Sequence, residues 1–204
     1  MTNVDLLMQR HFPLQLKFNV GTIYNDFVAT DALGNEIAYV KEKLFKFKDH
    51  VQIYSNSSKA ELIYEIRASN WIDFNTSYQF TDASGKVLGR VGRKGWRSLW
   101  KTQYIVFDEN NNTDLEIRED NAWVKVWDAL FSEIPILGMF TGYVFNPSYS
   151  AKRPDGTVVC TLKKNASFFG RKFTLDAQAN FEQGEEERIL LSFMMMVLLE
   201  RRRG

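Results

Sequence analysis

The chain closes on ERILLSFMMMVLLERRRG, residues 187–204, and what this run demands of its surroundings settles the architecture. From Ile189 to Leu199 only Ser192 interrupts an otherwise apolar series. As a helix that run is about 17 Å long at about 1.5 Å per residue. A bilayer core is about 30 Å thick and takes about 20 residues to cross. Glu185, Glu186, Glu187 and Arg188 block extension on one side, and Glu200, Arg201, Arg202 and Arg203 on the other. No transmembrane span is therefore expected. Nor is the run amphipathic, and a helix that is apolar on every face is buried on every face. Burying its large side chains is worth roughly 15–30 kcal/mol as an upper estimate. Acids in the first turn and arginines in the last suit the helix dipole, and Gly184 supplies a break before it. The rest of the chain must then provide an enclosure.

Upstream, most segments alternate between apolar and polar residues. LQLKFNV (14–20), TIYNDFVAT (22–30), VQIYS (51–55), AELIYEIRA (60–68), DFNTSYQFT (73–81), TQYIVFD (102–108) and TDLEIRE (113–119) read as strands. The turn signals DALGN, NSSK, DASGK, DENNN and RPDGT separate strands. In DNAWVKVWDALFSEIP, Trp123, Val126, Trp127, Leu130 and Ile134 instead fall at helical spacing, so a short amphipathic helix is expected at 121–133. A weak repeat begins at Thr30, Thr81 and Lys152. Each copy runs from a turn glycine (Gly34, Gly85, Gly156) through an apolar strand to basic and aromatic residues and a second strand. The sixth residue after the glycine is Val40, Val91 or Leu162. Recurring hairpins suggest a meander that closes on itself.

These readings combine into one expectation. The fold is all-β, a closed antiparallel β-barrel of about twelve strands around a central hydrophobic C-terminal helix at 186–203. It forms a single domain over 1–204, with 1–13 as a flexible N-terminus.

Composition narrows the function. The 26 Lys and Arg against 25 Asp and Glu leave a net charge of +1, so a global nucleic-acid footprint is absent and only a local patch could bind phosphate. Cys160 is the single cysteine. An internal disulfide and a thiolate metal cage are thus excluded, and a cytoplasmic location fits. The start, MTNVDLLMQRHF, has no secretory pattern. His11 and His50 stand far apart, no Gly-x-Ser-x-Gly elbow exists, and Gly85, Gly89, Gly92 and Gly95 match no phosphate-binding loop. No enzymatic activity, metal or cofactor is expected.

The sharpest local feature is KVLGRVGRKGWRSLWK, 86–101. It carries Arg90, Arg93, Lys94, Arg97 and Lys101, interleaves Trp96 and Trp100, and has no acid between Asp82 and Asp108. Cations beside indoles suit an anionic lipid surface. The same residues could stack on a single-stranded nucleic acid, or simply snorkel over aromatic surface as a solvated hairpin. Of these partners, nucleic acid is the less favoured. KEKLFKFK, 41–48, adds Lys41, Lys43, Lys46 and Lys48 if the two hairpins are neighbours.

Two segments carry a family likeness. Tyr78-Gln79-Phe80-Thr81-Asp82-Ala83-Ser84-Gly85-Lys86 leads into a basic strand, and GRKFTLDAQANFEQGEEERILLSFMMMVLLE holds a strand, an Asp turn and a closing helix. In this arrangement, from about residue 14 to its end, the chain resembles the superfamily of tubby C-terminal, LURP-one-related and phospholipid scramblase-like proteins. The resemblance implies a barrel around a helix and a link to phospholipid or phosphoinositide headgroups, peripheral at the membrane. Scramblase-like members have an Asp-x-Asp calcium segment before the helix. Here Asp176 takes the first position and Gln178 the second. With no Pro-rich N-terminus or cysteine cluster either, the resemblance points toward the LURP-one-like or tubby-like branch. A scramblase and a regulatory scaffold with a protein partner remain the alternatives.

Overall fold

The computed structural model describes residues 10–22, 25–43, 50–69, 76–94, 103–120, 148–165 and 172–203. Twelve strands and a helix are built from them. The strands are β1 (Leu14–Phe18), β2 (Asp26–Thr30), β3 (Glu36–Lys43), β4 (His50–Tyr54), β5 (Leu62–Ser69) and β6 (Thr76–Asp82), then β7 (Val87–Lys94), β8 (Gln103–Phe107), β9 (Thr113–Glu119), β10 (Ser148–Lys152), β11 (Val158–Asn165) and β12 (Lys172–Ala177). The helix, α1, is Glu185–Arg203. Each strand pairs antiparallel with its chain neighbours, and β1 pairs with β12, so the sheet closes into a barrel with no free edge. The expected helix at 121–133 lies outside the described residues.

Inside the barrel runs α1. Every residue from Ile189 to Leu198 is at most 5% exposed, Ser192 included. The apolar series thus meets sheet on all sides, as its lack of a polar face demands. Opposing it are the inward residues of the strands, among them Leu14, Phe27, Phe80, Ile66, Leu115, Leu162 and Phe173. Val40, Val91 and Leu162, the matching positions of the repeat, all join this core. Among the described residues no helix is long and apolar enough to cross a membrane.

The two rims of the barrel differ. At one, the turn rim, tight turns join β2 to β3, β4 to β5, β6 to β7, β8 to β9 and β10 to β11, and β12 leads into α1. Four of these turns share one design. Asp31, Asp82, Asp108 and Arg153 each donate their backbone N–H to the residue four positions on and accept one from the residue three positions on, which has positive φ: Gly34, Gly85, Asn111 and Gly156. This is the three-residue hairpin loop with a left-handed final residue, and it is why the glycines recur at fixed offsets. The three aspartates also accept backbone N–H groups through their carboxylates, from Leu33 and Asn35, from Ser84 and Lys86, and from Asn110 and Asn112. At the opposite rim, the tail rim, α1 finishes: the Arg201 guanidinium lies 4.6 Å from the ring centroid of Phe18, the last residue of β1.

Candidate functional site

Charges of both signs gather at each rim. At the turn rim the start of α1 is tied down by ion pairs. Arg153 grips Glu185 bidentately, Nε to Oε1 at 2.8 Å and an Nη to Oε2 at 2.7 Å. Arg10 reaches Glu186 at 3.0 Å. Arg188, itself buried, donates to Asp114 at 2.6 Å. The acids that complement the helix dipole are therefore also spent on holding the helix in place. Burial pushes the Glu186 carboxyl up, more than Arg10 pulls it down.

Toward the tail rim the lumen becomes polar. Glu42 on β3, Arg93 on β7, Glu119 on β9 and Lys164 on β11 pair in register with Val51, Tyr104, Tyr149 and Phe173, all inward-facing core residues. Directly opposed residues share a face, so these charged residues point inward. Their signs alternate around the wall, and Glu42 also accepts from Asn25 Nδ2 at 2.7 Å. The collar ends the apolar core where α1 runs out of apolar residues.

Beside it, on β2, the Asp26 carboxylate is 3% exposed. It accepts from Asn19 Nδ2 at 2.8 Å, from the Tyr39 hydroxyl at 2.8 Å and from Thr22 Oγ1. Burial alone would raise its pKa. The Thr22, Asn19 and Tyr39 donors, with the charge of Arg201, outweigh that and hold it below the usual carboxylate range. Burial and the bond to Asp26 push the Tyr39 phenol up to about 12. This aspartate is built into the join between β1 and β2.

Of the basic hairpin expected at 86–101, the described part is Lys86 and β7. Arg90 and Arg93 do not share a face. Arg90 pairs with Gln79 and Phe107 on the outer wall, whereas Arg93 pairs with Thr76 and Tyr104 on the inner one. Val91 lies between them in the core, and strand alternation sends 90 and 93 to opposite sides. Arg93 Nε is buried and makes no hydrogen bond among the described residues. Lys94 closes β7 at the tail rim. Trp96, Arg97 and Lys101 lie outside the described residues, as do Trp100, Lys46 and Lys48. Lys41 and Lys43 end β3 at the same rim, but β5 and β6 stand between the β3–β4 and β7–β8 hairpins, so the two basic stretches are not adjacent.

A model of the LURP-one-related family matches residues 36–196, from the start of β3 into α1. The chain belongs to the LURP-one-related family. No curated protein and no solved structure matches it. In this LURP-one-related barrel the matched region includes the whole basic hairpin and the acidic start of α1, while β1 and β2, which complete the closure, precede it.

Sequence reading missed three lysines that closure brings together: Lys17 on β1, Lys172 on β12 and Lys163 on β11. All three are exposed. No signal in linear order marks them, because β1 and β12 lie at opposite ends of the chain and only their pairing makes them neighbours.

Proposed function

We propose that this domain is a non-enzymatic, cytoplasmic module that binds the headgroups of anionic membrane phospholipids at its tail rim, with Arg90, Lys94, Trp96, Arg97 and Lys101 of the β7–β8 hairpin as outer contacts and Arg93 turned into the lumen beside them. The observation that carries this reading is the acid-free run between Asp82 and Asp108, whose strand β7 ends at the tail rim, where the arginines of α1 also finish. Cations at such a rim meet phosphate, and indoles settle at headgroup depth. Family membership supports the reading, and the burial of α1 disfavours the scramblase alternative. A helix enclosed from Ile189 to Leu198 would have to leave the barrel to enter lipid.

Co-sedimentation with phosphatidylserine vesicles tests this. The wild type is expected to pellet, and a variant with Arg90→Ala, Lys94→Ala and Arg97→Ala to pellet less. Equal pelleting of the two would remove the hairpin from the reading. Lipid flipping in a proteoliposome assay would favour a scramblase instead.

A further inference from the structure

Lys17 and Lys172 stand directly opposite each other across the seam where the barrel closes. Leu16 and Phe18 beside Lys17, and Phe173 beside Lys172, belong to the core, so both lysines project outward. Directly opposed residues have Cβ atoms about 5 Å apart, and like charges there are destabilising. Lys163 lies on the next strand, paired with Thr174, one outward position from Lys172. Its neighbour Leu162 is in the core, so it faces the same way.

Among the described residues no acid forms an ion pair with this cluster. Across β2, Lys17 faces Val28. Asp26 is buried and already accepts from Asn19, Thr22 and Tyr39. Asp120 accepts from Ser148 and Ser150 across β10. Asp176 is one outward position from Thr174 toward the turn rim, diagonal to Lys163 as Lys172 is on the other side, and it accepts from Gln178 at 3.3 Å without pairing with Lys163. None of the three lysines forms an ion pair among the described residues. By contrast, Arg67 pairs with Glu65 and Arg118 with Glu116 on the outer wall. Those two outward arginines are balanced. At the seam the lysines are set against each other.

We infer that the β1–β12–β11 seam is a second anion-binding surface, in which Lys17, Lys172 and Lys163 together engage the phosphates of an anionic bilayer. Three ammonium groups, exposed and grouped near one rim, match closely spaced headgroups and would gain in attraction what they lose in mutual repulsion. The surface lies beside the end of α1, where Arg201 stacks on Phe18, so the seam and the β7–β8 hairpin address one membrane plane from two sides of the rim. This rests on the lipid reading above.

The test is a variant carrying Lys17→Gln, Lys163→Gln and Lys172→Gln, with vesicles of phosphatidylserine and phosphatidylcholine. Each cation near an anionic surface contributes about 1 kcal/mol, roughly fivefold in affinity. The variant should therefore bind on the order of a hundredfold more weakly, with a shallower dependence on salt. Its thermal midpoint at low salt should equal or exceed that of the wild type, because repulsion is relieved. Soluble glycerophosphoserine at the same phosphate concentration should not displace the wild type from vesicles. If the wild type ignores the vesicles, the lipid reading fails and the seam with it. If the wild type binds and the variant binds equally, the seam alone fails. A lowered midpoint would mark the lysines as structural, and full displacement by glycerophosphoserine would mark a site for a single soluble anion. Either result overturns the inference.

Discussion

Gly89 on β7 and Arg188 on α1 occupy a space that only one of them can fill. A Cβ at Gly89 would stand 2.8 Å from Arg188 Cδ and 2.4 Å from the carbonyl oxygen of Phe107. Gly89 also has φ of 150°, and it pairs with Phe80 next to a shift in register. The helix thus enters the barrel against bare backbone, and Arg188 passes over it to reach Asp114.

From this follows the first prediction. Gly89→Ala should destabilise the fold by roughly 3 kcal/mol, combining backbone strain with overpacking against a carbonyl that cannot move aside. Urea unfolding should show a lower midpoint with an unchanged slope. An unshifted midpoint would mean that Arg188 does not pack there.

The Arg153–Glu185 clamp should matter more broken than replaced. Glu185 is 1% exposed, and Glu185→Ala leaves the Arg153 guanidinium without its bidentate partner. A loss of about 3 kcal/mol is expected from removing one side of such a pair. Changing both residues to Met should recover most of it, because apolar packing substitutes well for a buried pair. Thermal denaturation of the singles and the double gives the comparison.

Ser192 offers the opposite sign. Its hydroxyl is buried in the middle of α1 and has no hydrogen-bond partner among the described residues. Ser192→Ala should leave stability unchanged or raise it by up to about 1 kcal/mol, since an unpaired buried donor costs more than its absence. A clear drop in the unfolding midpoint would show that the hydroxyl is satisfied after all.

Acid should act through the turn aspartates. Burial tends to raise the pKa of Asp82 and Asp108, but hydrogen bonds from Ser84 and Lys86, and from Asn112 and Asn110, outweigh it and hold both below the ordinary 3.8. A carboxyl with a lowered folded pKa adds stability that is fully present above its unfolded value and disappears as pH falls through the folded value. Asp108→Asn should therefore lower the thermal midpoint at neutral pH, and the gap from the wild type should close as pH drops below 3.8. A gap that persists into strong acid would assign the effect to shape and not to charge. Glu186, raised by burial, works in the other sense and loses stability as pH rises through its folded pKa.

Much of this architecture is written locally. The enclosed helix followed from an apolar run with no polar face and charges at both ends. The hairpins followed from Asp and Gly at fixed offsets, because a left-handed final turn residue is a demand on one position. Period-two alternation carried Val40, Val91 and Leu162 to the core, and the same alternation separates Arg90 from Arg93. A basic stretch read as one patch is therefore divided by the sheet itself.

What adjacent residues could not encode is which strand meets which at the closure. That β3–β4 and β7–β8 are held apart by two strands, and that Lys17 confronts Lys172, depends on where the twelve-stranded sheet returns to its beginning. Linear order was enough to demand an enclosure for the closing helix, since hiding its apolar faces is worth far more than leaving them in water, and the alternating segments upstream supplied the strands for it. Where charge gathers on the barrel wall came from the closed fold, because the register between the first and last strands is set by the barrel as a whole and by no residue alone.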